Sequence, residues 1–278
     1  MNPPVSKSSN GLGGTDLTVR YQKERPPIIA GQSIEIPDGK VSVFIGQNGS
    51  GKSTLLKTLA RQLVPESGTV MLDGRDIAKM SGRDIALRLG ILFQENTAPN
   101  DLTVEELAYH GRYPHRRLFE SLTSEDREAV EAALQMCGAS ALRHRPISQL
   151  SSGQKQLAWI TMLISQSPHY LFLDEPTTFL DLAHQFDVMD LISRLNRDLQ
   201  KTVVLVIHDL NLAARYGDHI FAMRDGRIVA SGSPEQVLTV ETLRAVFDIE
   251  TRMFRDEETG TLHCLPICRG RSPAAVSS

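Results

Sequence analysis

A chain of 278 residues, 41% hydrophobic and 23% charged, has room for one large or two modest domains with a buried core, and its composition is that of an ordinary soluble globular protein. A formal net charge of −3 supplies no basic footprint and argues against a nucleic-acid partner. The longest apolar runs, residues 157–164 and 203–207, fall well short of the ~18 to 20 residues that cross a bilayer.

Residues 1–14 are rich in Ser, Pro and Gly and lack an apolar core, which reads as a disordered leader and not a secretion signal, so the chain is expected to stay in the cytoplasm. Cys137, Cys264 and Cys268 are odd in number and expected to be reduced thiols. His263, Cys264 and Cys268 have no second cysteine pair to complete a structural metal site.

In chain order, Leu17-Thr18-Val19-Arg20-Tyr21 and Gln32-Ser33-Ile34-Glu35-Ile36 alternate with period two around a proline-bearing loop, the pattern of antiparallel strands with one wet face. The turn at Asp38-Gly39 leads into the buried run Val41-Ser42-Val43-Phe44-Ile45. Next comes Gly46-Gln47-Asn48-Gly49-Ser50-Gly51-Lys52-Ser53-Thr54, which opens into a helix at Leu55. This reads as a phosphate-binding loop. Backbone N–H groups must converge on an anion, which demands glycines; Lys52 adds charge for the β- and γ-phosphates, and the Ser53 hydroxyl suits Mg²⁺.

Thr69 to Leu72 reads as a strand closed by Asp73-Gly74, and Gly90-Ile91-Leu92-Phe93 as a short apolar run ending at Gln94. From Thr103 to about Leu163 the pattern becomes helical, with Val104 to His110 and Ser124 to Cys137 as segments and Ser124 as a cap. Strands resume at Tyr170 to Leu173 and Thr202 to Ile207, aliphatic runs suited to a parallel sheet covered on both faces. Between them Leu182, Phe186, Met189, Ile192, Leu195 and Leu199 recur at helical spacing, which predicts a crossover helix with that stripe in the core. Residues 219–224 and 227–231 form a hairpin at Asp225-Gly226, residues 234–238 and 241–247 short helices, and residues 252–255 and 262–266 a last hairpin; residues 269–278 are expected to be disordered. No internal repeat is visible.

The strand ending at Leu173 delivers Asp174 to its C-terminal end, where open α/β sheets bind ligands, and Asp174 can hold Mg²⁺ through water. Glu175 follows, a second carboxylate placed to polarise a water attacking the γ-phosphate. With Leu150-Ser151-Ser152-Gly153-Gln154 just upstream, the chain resembles the ATP-binding cassette (ABC) proteins. Gln94 resembles their Q-loop glutamine, Phe179-Leu180-Asp181 their D-loop, His208 their switch histidine, and Tyr21 stands where the family stacks an aromatic on adenine. The resemblance runs from about Leu17 to Pro266. Ser152 departs from the first signature glycine, and Leu157 stands where the family has Arg.

The resemblance implies an α/β fold: a P-loop NTPase (RecA-like) core with an antiparallel β subdomain over 15–94 and 168–278, and an inserted helical subdomain over 95–167. It implies ATP and Mg²⁺ as ligands, Ser53, Gln94 and Asp174 at the metal, and Glu175, His208 and Gln94 in hydrolysis. The nucleotide would be held by Tyr21, by Gly46 through Thr54, and by Ser151, Gly153, Gln154 and Asp181. In the family, Ser151 and Gly153 act from the opposite subunit of a head-to-tail homodimer, and the helical insertion receives a cytoplasmic helix of a polytopic permease.

Thr103 through Leu107 with Gly111-Arg112-Tyr113-Pro114-His115-Arg116, Phe179-Leu180-Asp181-Leu182-Ala183-His184-Gln185, and His208 through Tyr216 resemble the subgroup that energises bacterial import of ferric siderophores, haem and cobalamin. Taken as residues alone, Arg112, His115 and Arg116 could equally form a solvated basic face. The subgroup implies a peripheral location on the cytoplasmic face of the inner membrane and, indirectly, a periplasmic or lipoprotein substrate-binding protein. Ferric siderophore is the expected cargo, with haem or cobalamin, or a soluble cassette ATPase in assembly or regulation such as iron–sulfur biogenesis, as the alternatives.

Overall fold

The computed structural model of the chain describes residues 11–97, 99, 101–117 and 120–269. Residues 1–10 of the leader expected over 1–14, and residues 270–278 of the tail expected over 269–278, lie outside these residues. In chain order the main elements are β1 (Leu12–Val19), β2 (Ile29–Ile36), β3 (Val41–Gly46), α1 (Lys52–Leu59), β4 (Ser67–Leu72), β5 (Arg75–Asp76), α2 (Gly82–Ala86) and β6 (Leu89–Leu92). Then come α3 (Val104–His110), α4 (Ser124–Met136), α5 (Ser152–Ser165), β7 (Tyr170–Asp174), α6 (Leu182–Leu199) and β8 (Thr202–Val206). The chain continues through α7 (Leu210–Tyr216), β9 (His219–Arg224), β10 (Arg227–Gly232), α8 (Pro234–Val237), α9 (Val240–Phe247), β11 (Ile249–Arg255) and β12 (Leu262–Arg269).

Two compact units result. One holds the described residues up to Ala78 and from Val204 onward, the other Lys79–Val203. In the first, β2, β1, β4 and β5 form an antiparallel sheet in that order. β3 runs parallel to β9, with Ser42 opposite His219 and Gly46 opposite Met223, and Ile207 N–H bonds back to the Phe44 carbonyl. Every residue of β3 is buried, as a strand covered on both faces requires. Phe44 and Phe221 stack inside this unit with ring centres 5.2 Å apart.

β1 begins at Leu12, so residues 12–14 belong to a strand and not to the leader. Gly13 and Gly14 carry no side chains to alternate, and the register of β1 against β2 shifts between Gly14 and Leu17, which hides the strand from a period-two reading. The last hairpin is also longer than its sequence pattern: β11 starts at Ile249 and β12 reaches Arg269, the first residue assigned to the tail.

In the second unit β6 and β7 pair in parallel, Leu89 opposite Tyr170 and Leu92 opposite Leu173. The helical segment between them lies wholly within this unit. α4 is capped by Thr123, not Ser124: its hydroxyl accepts from Asp126 N–H, and the Asp126 carboxylate accepts from Thr123 N–H. α6 forms where its periodicity places it, but only the middle of its stripe is core. Met189, Ile192 and Leu195 are buried, while Leu182, Phe186 and Leu199 are 72, 38 and 43% exposed.

The Gly111 to Arg116 segment is not a solvated basic face. Arg112 is buried, donates Nε to Asp126 at 2.9 Å and Nη1 to the Ser165 carbonyl at 2.7 Å. A His115 ring nitrogen meets the Gln166 carbonyl at 2.8 Å. Gln166 in turn donates to the Ala86 and Leu89 carbonyls. One basic run therefore joins the ends of α3, α4 and α5 to β6, and the buried cation has the carboxylate it needs.

Candidate nucleotide site

In the first unit the phosphate loop follows β3 and ends at Gly51, which has φ 98° and precedes the first turn of α1 without any side-chain cap. Only glycine adopts that backbone without penalty, and with glycine at the cap the helix N-terminus opens directly onto the loop, the geometry that suits an anion. Lys52 is buried and donates Nζ to the Gly46 and Gln47 carbonyls at 2.8 and 3.0 Å, which compensates its charge within the loop itself. Ser50 Oγ is buried with no hydrogen-bond partner among the described residues, a polar atom of the kind a ligand satisfies. Gln47 reaches Asp248 at 3.4 Å.

Tyr21, 56% exposed, places its hydroxyl 3.3 Å from Thr54 Oγ1 in the first turn of α1. His208 is exposed just after Ile207. Asp209 then caps α7 by accepting from Asn211 and Leu212 N–H at 2.7 and 3.0 Å. The Asn211 side chain accepts from Cys264 N–H at 2.8 Å, which ties the last hairpin to the helix behind His208.

In the second unit β7 ends at the buried Asp174. Glu175 follows with a left-handed backbone, φ 55°. Such a conformation costs a glutamate about 1–3 kcal/mol and persists where the surroundings enforce it. Here they do: Glu175 Oε2 accepts from Gln94 Nε2 at 2.8 Å and from the Thr178 hydroxyl at 3.1 Å. The structure thus brings Gln94 and Glu175 together, two residues on separate sequence motifs.

Ser151 caps α5. Its hydroxyl accepts from Gln154 N–H at 3.3 Å and Gln154 Oε1 accepts from Ser151 N–H at 3.2 Å. Ser152 is exposed and Gly153 buried, which explains why the first signature position accommodates a hydroxymethyl group. Asp181 caps α6 by accepting from His184 N–H at 2.9 Å, with His184 Nδ1 at 2.7 Å from the same oxygen. These contacts, backbone first and ring second, hold the Asp181 carboxyl below the usual carboxylate range.

Two supports of the site carry no motif. Thr178 braces Glu175, and the Pro176-Thr177-Thr178 run offers only the β-hydroxyls as a hint. Gly226, in the turn between β9 and β10, donates N–H to the Ser50 carbonyl at 3.0 Å. A Cβ on Gly226 would overlap the Ile28 carbonyl, and one on Gly51 would stand 2.8 Å from Ile29 Cδ1. The phosphate loop is therefore wedged against β2 and a distant turn, a long-range contact that local spacing cannot reveal.

A phosphate loop in the first unit, and a strand-end carboxylate pair with capped helices in the second, are the parts of a nucleotide-hydrolysing cassette, and the profile of the ABC transporter family matches residues 29–178. The chain belongs to that family, as one of its ATPases. It is 41% identical over 274 residues to the ferric enterobactin transport ATP-binding protein FepC of Escherichia coli, covering 99% of this chain and all of FepC. The iron(3+)-hydroxamate import ATP-binding protein FhuC of Bacillus subtilis is 43% identical over 92% of this chain and 94% of its own. Among solved structures, a dimeric ATP-binding cassette in a post-hydrolysis state, bound to ADP and Pi, superposes with TM-score 0.70 at 25% identity over 80% of this chain and 98% of that one. The P-loop NTPase fold expected from the motifs is the fold of that cassette. Among the described residues no helix is long and apolar enough to cross a membrane.

Proposed function

We propose that this chain is the ATP-hydrolysing subunit of a bacterial importer of ferric siderophores, working as a homodimer on the cytoplasmic face of the inner membrane beneath polytopic permease subunits. A periplasmic or lipoprotein substrate-binding protein would deliver the cargo to the permease. The observation that carries the catalytic reading is Glu175, held in a strained backbone by Gln94 and Thr178. The cargo rests on the likeness to FepC and FhuC.

In this reading the N–H groups of Gly46 through Thr54 and the Lys52 ammonium hold the phosphates of ATP, and Tyr21 stacks on the adenine. Ser53, Gln94 and Asp174 present hydroxyl, amide and carboxylate oxygens, a donor set that fits Mg²⁺. Because Gln94 Nε2 is engaged by Glu175, its amide oxygen is the atom left for the ion. Bound Mg²⁺ would neutralise charge on the β- and γ-phosphates. Glu175 orients and deprotonates the attacking water, and His208 contacts the γ-phosphate. Ser151, Gly153, Gln154 and Asp181 close the phosphates from the partner copy through the N-terminus of α5. Closing on ATP and opening after hydrolysis would drive the permease between its two states.

The test is uptake of labelled ferric siderophore, haem and cobalamin in cells lacking this gene, complemented with the native chain or with Lys52→Ala. The expected outcome is loss of ferric siderophore uptake alone, restored by the native chain only. Loss of haem or of cobalamin uptake instead would overturn the cargo. Full restoration by Lys52→Ala would overturn the ATPase role.

A further inference from the structure

No motif assigns a task to His184, which lies in the first turn of α6. Its backbone N–H and its ring Nδ1 both reach Asp181 Oδ1, so the imidazole closes a small loop on its own helix cap. The Asp181 carboxyl is held ionised and can only accept, which places the ring proton on Nδ1. The opposite edge of the ring lies on Gly153. A Cβ there would stand 2.7 Å from His184 Cγ and closer still to Cδ2, well inside any contact a real side chain makes. Gly153 is the second residue of α5, within the Ser151–Gln154 capping box.

We propose that His184 is a positioning residue for ATP hydrolysis: a fixed spacer that seats the first turn of α5, and with it the N–H groups of Ser151 and Gly153, against the cap of α6. The ring explains why Gly153 lacks a side chain from within the same subunit. It also makes the Ser151–Gly153 turn and Asp181 a single rigid piece, so that neither can shift without the other. This rests on the proposed role of that turn in covering the phosphates. A side chain that fills the space but cannot donate to Asp181 would let the start of α5 drift. The loss would then fall on turnover and not on nucleotide binding through the phosphate loop.

The test compares His184→Asn, which keeps a donor near Asp181, with His184→Leu and His184→Ala, which do not. The readouts are kcat and KM for ATP, the Kd for ATP, and Tm. Leu and Ala are expected to lower kcat about tenfold, the scale of one charge-assisted hydrogen bond, and to leave the Kd within about twofold. Asn is expected to recover most of the lost turnover. Unchanged kcat in Leu and Ala, an equal loss in Asn, or a Kd that weakens in step with kcat overturns the assignment. If His184→Leu does not fold, Gly153→Ala decides the question in the native and His184→Ala backgrounds: a smaller loss in the second supports the spacer, an equal loss refutes it. Ser151→Ala is measured alongside. Full activity in that variant overturns the phosphate-cover reading itself, a result separable from every His184 outcome.

Discussion

Glu175 shows what a motif carries and what it omits. A carboxylate following an apolar strand is readable as a general base, but its positive φ and its contacts to Gln94 and Thr178 arise only when distant segments fold. The cysteines separate at the same scale. Burial pushes the Cys137 thiol up to about 11, and burial together with the nearby Asp209 carboxylate raises Cys264, whereas Cys268 is exposed. Because the thiolate is the nucleophile, brief alkylation at neutral pH should modify Cys268 first and leave Cys137 intact until the chain is unfolded. Peptide mass mapping checks the order, and early labelling of Cys137 would contradict the buried environment.

At the scale of elements, the Arg112–Asp126 pair joins the end of α3 to the first turn of α4. Burial pushes the Asp126 carboxyl up, but hydrogen bonds from Arg112 and Thr123 outweigh it and hold the pKa below the ordinary value. A lowered carboxylate pKa adds stability that is present above the unfolded value, about 3.9, and is lost as pH falls through the folded one. Asp126→Asn strands a buried guanidinium and should cost about 3–5 kcal/mol at neutral pH. Below about pH 4 the variant should lose less further stability than the native chain. Denaturant melts across pH read both effects, and parallel curves would show that the pair contributes no pH-dependent stability.

The same elements show where the sequence is legible. β3, β7 and β8 are short runs dominated by apolar side chains with no period-two alternation, so their burial on both faces follows from composition. α6 has the right period, yet period alone cannot tell that Leu182, Phe186 and Leu199 emerge at the ends of the packed stretch. α2 is five residues long, too short to complete two turns of any pattern. Arg112 and His115 stand out as basic residues in sequence, while their partners, Asp126 and Ser165 for Arg112 and Gln166 for His115, come from other segments.

For the whole molecule, the exposed Phe179 and Leu182, 82 and 72%, flank Asp181 and leave apolar surface at the edge proposed to meet a second copy. Light scattering of Glu175→Gln with ATP should report a doubled mass. Phe179→Asp with Leu182→Asp should return it to single chains while ATP still binds. A dimer that survives both changes would place the contact elsewhere. Gly226 adds a consequence for genetics. Far along the chain, it props the carbonyl of Ser50 and admits no methyl group beside Ile28, so alleles altered at this codon should surface in any screen for iron starvation, clustering by phenotype with lesions in the loop it braces.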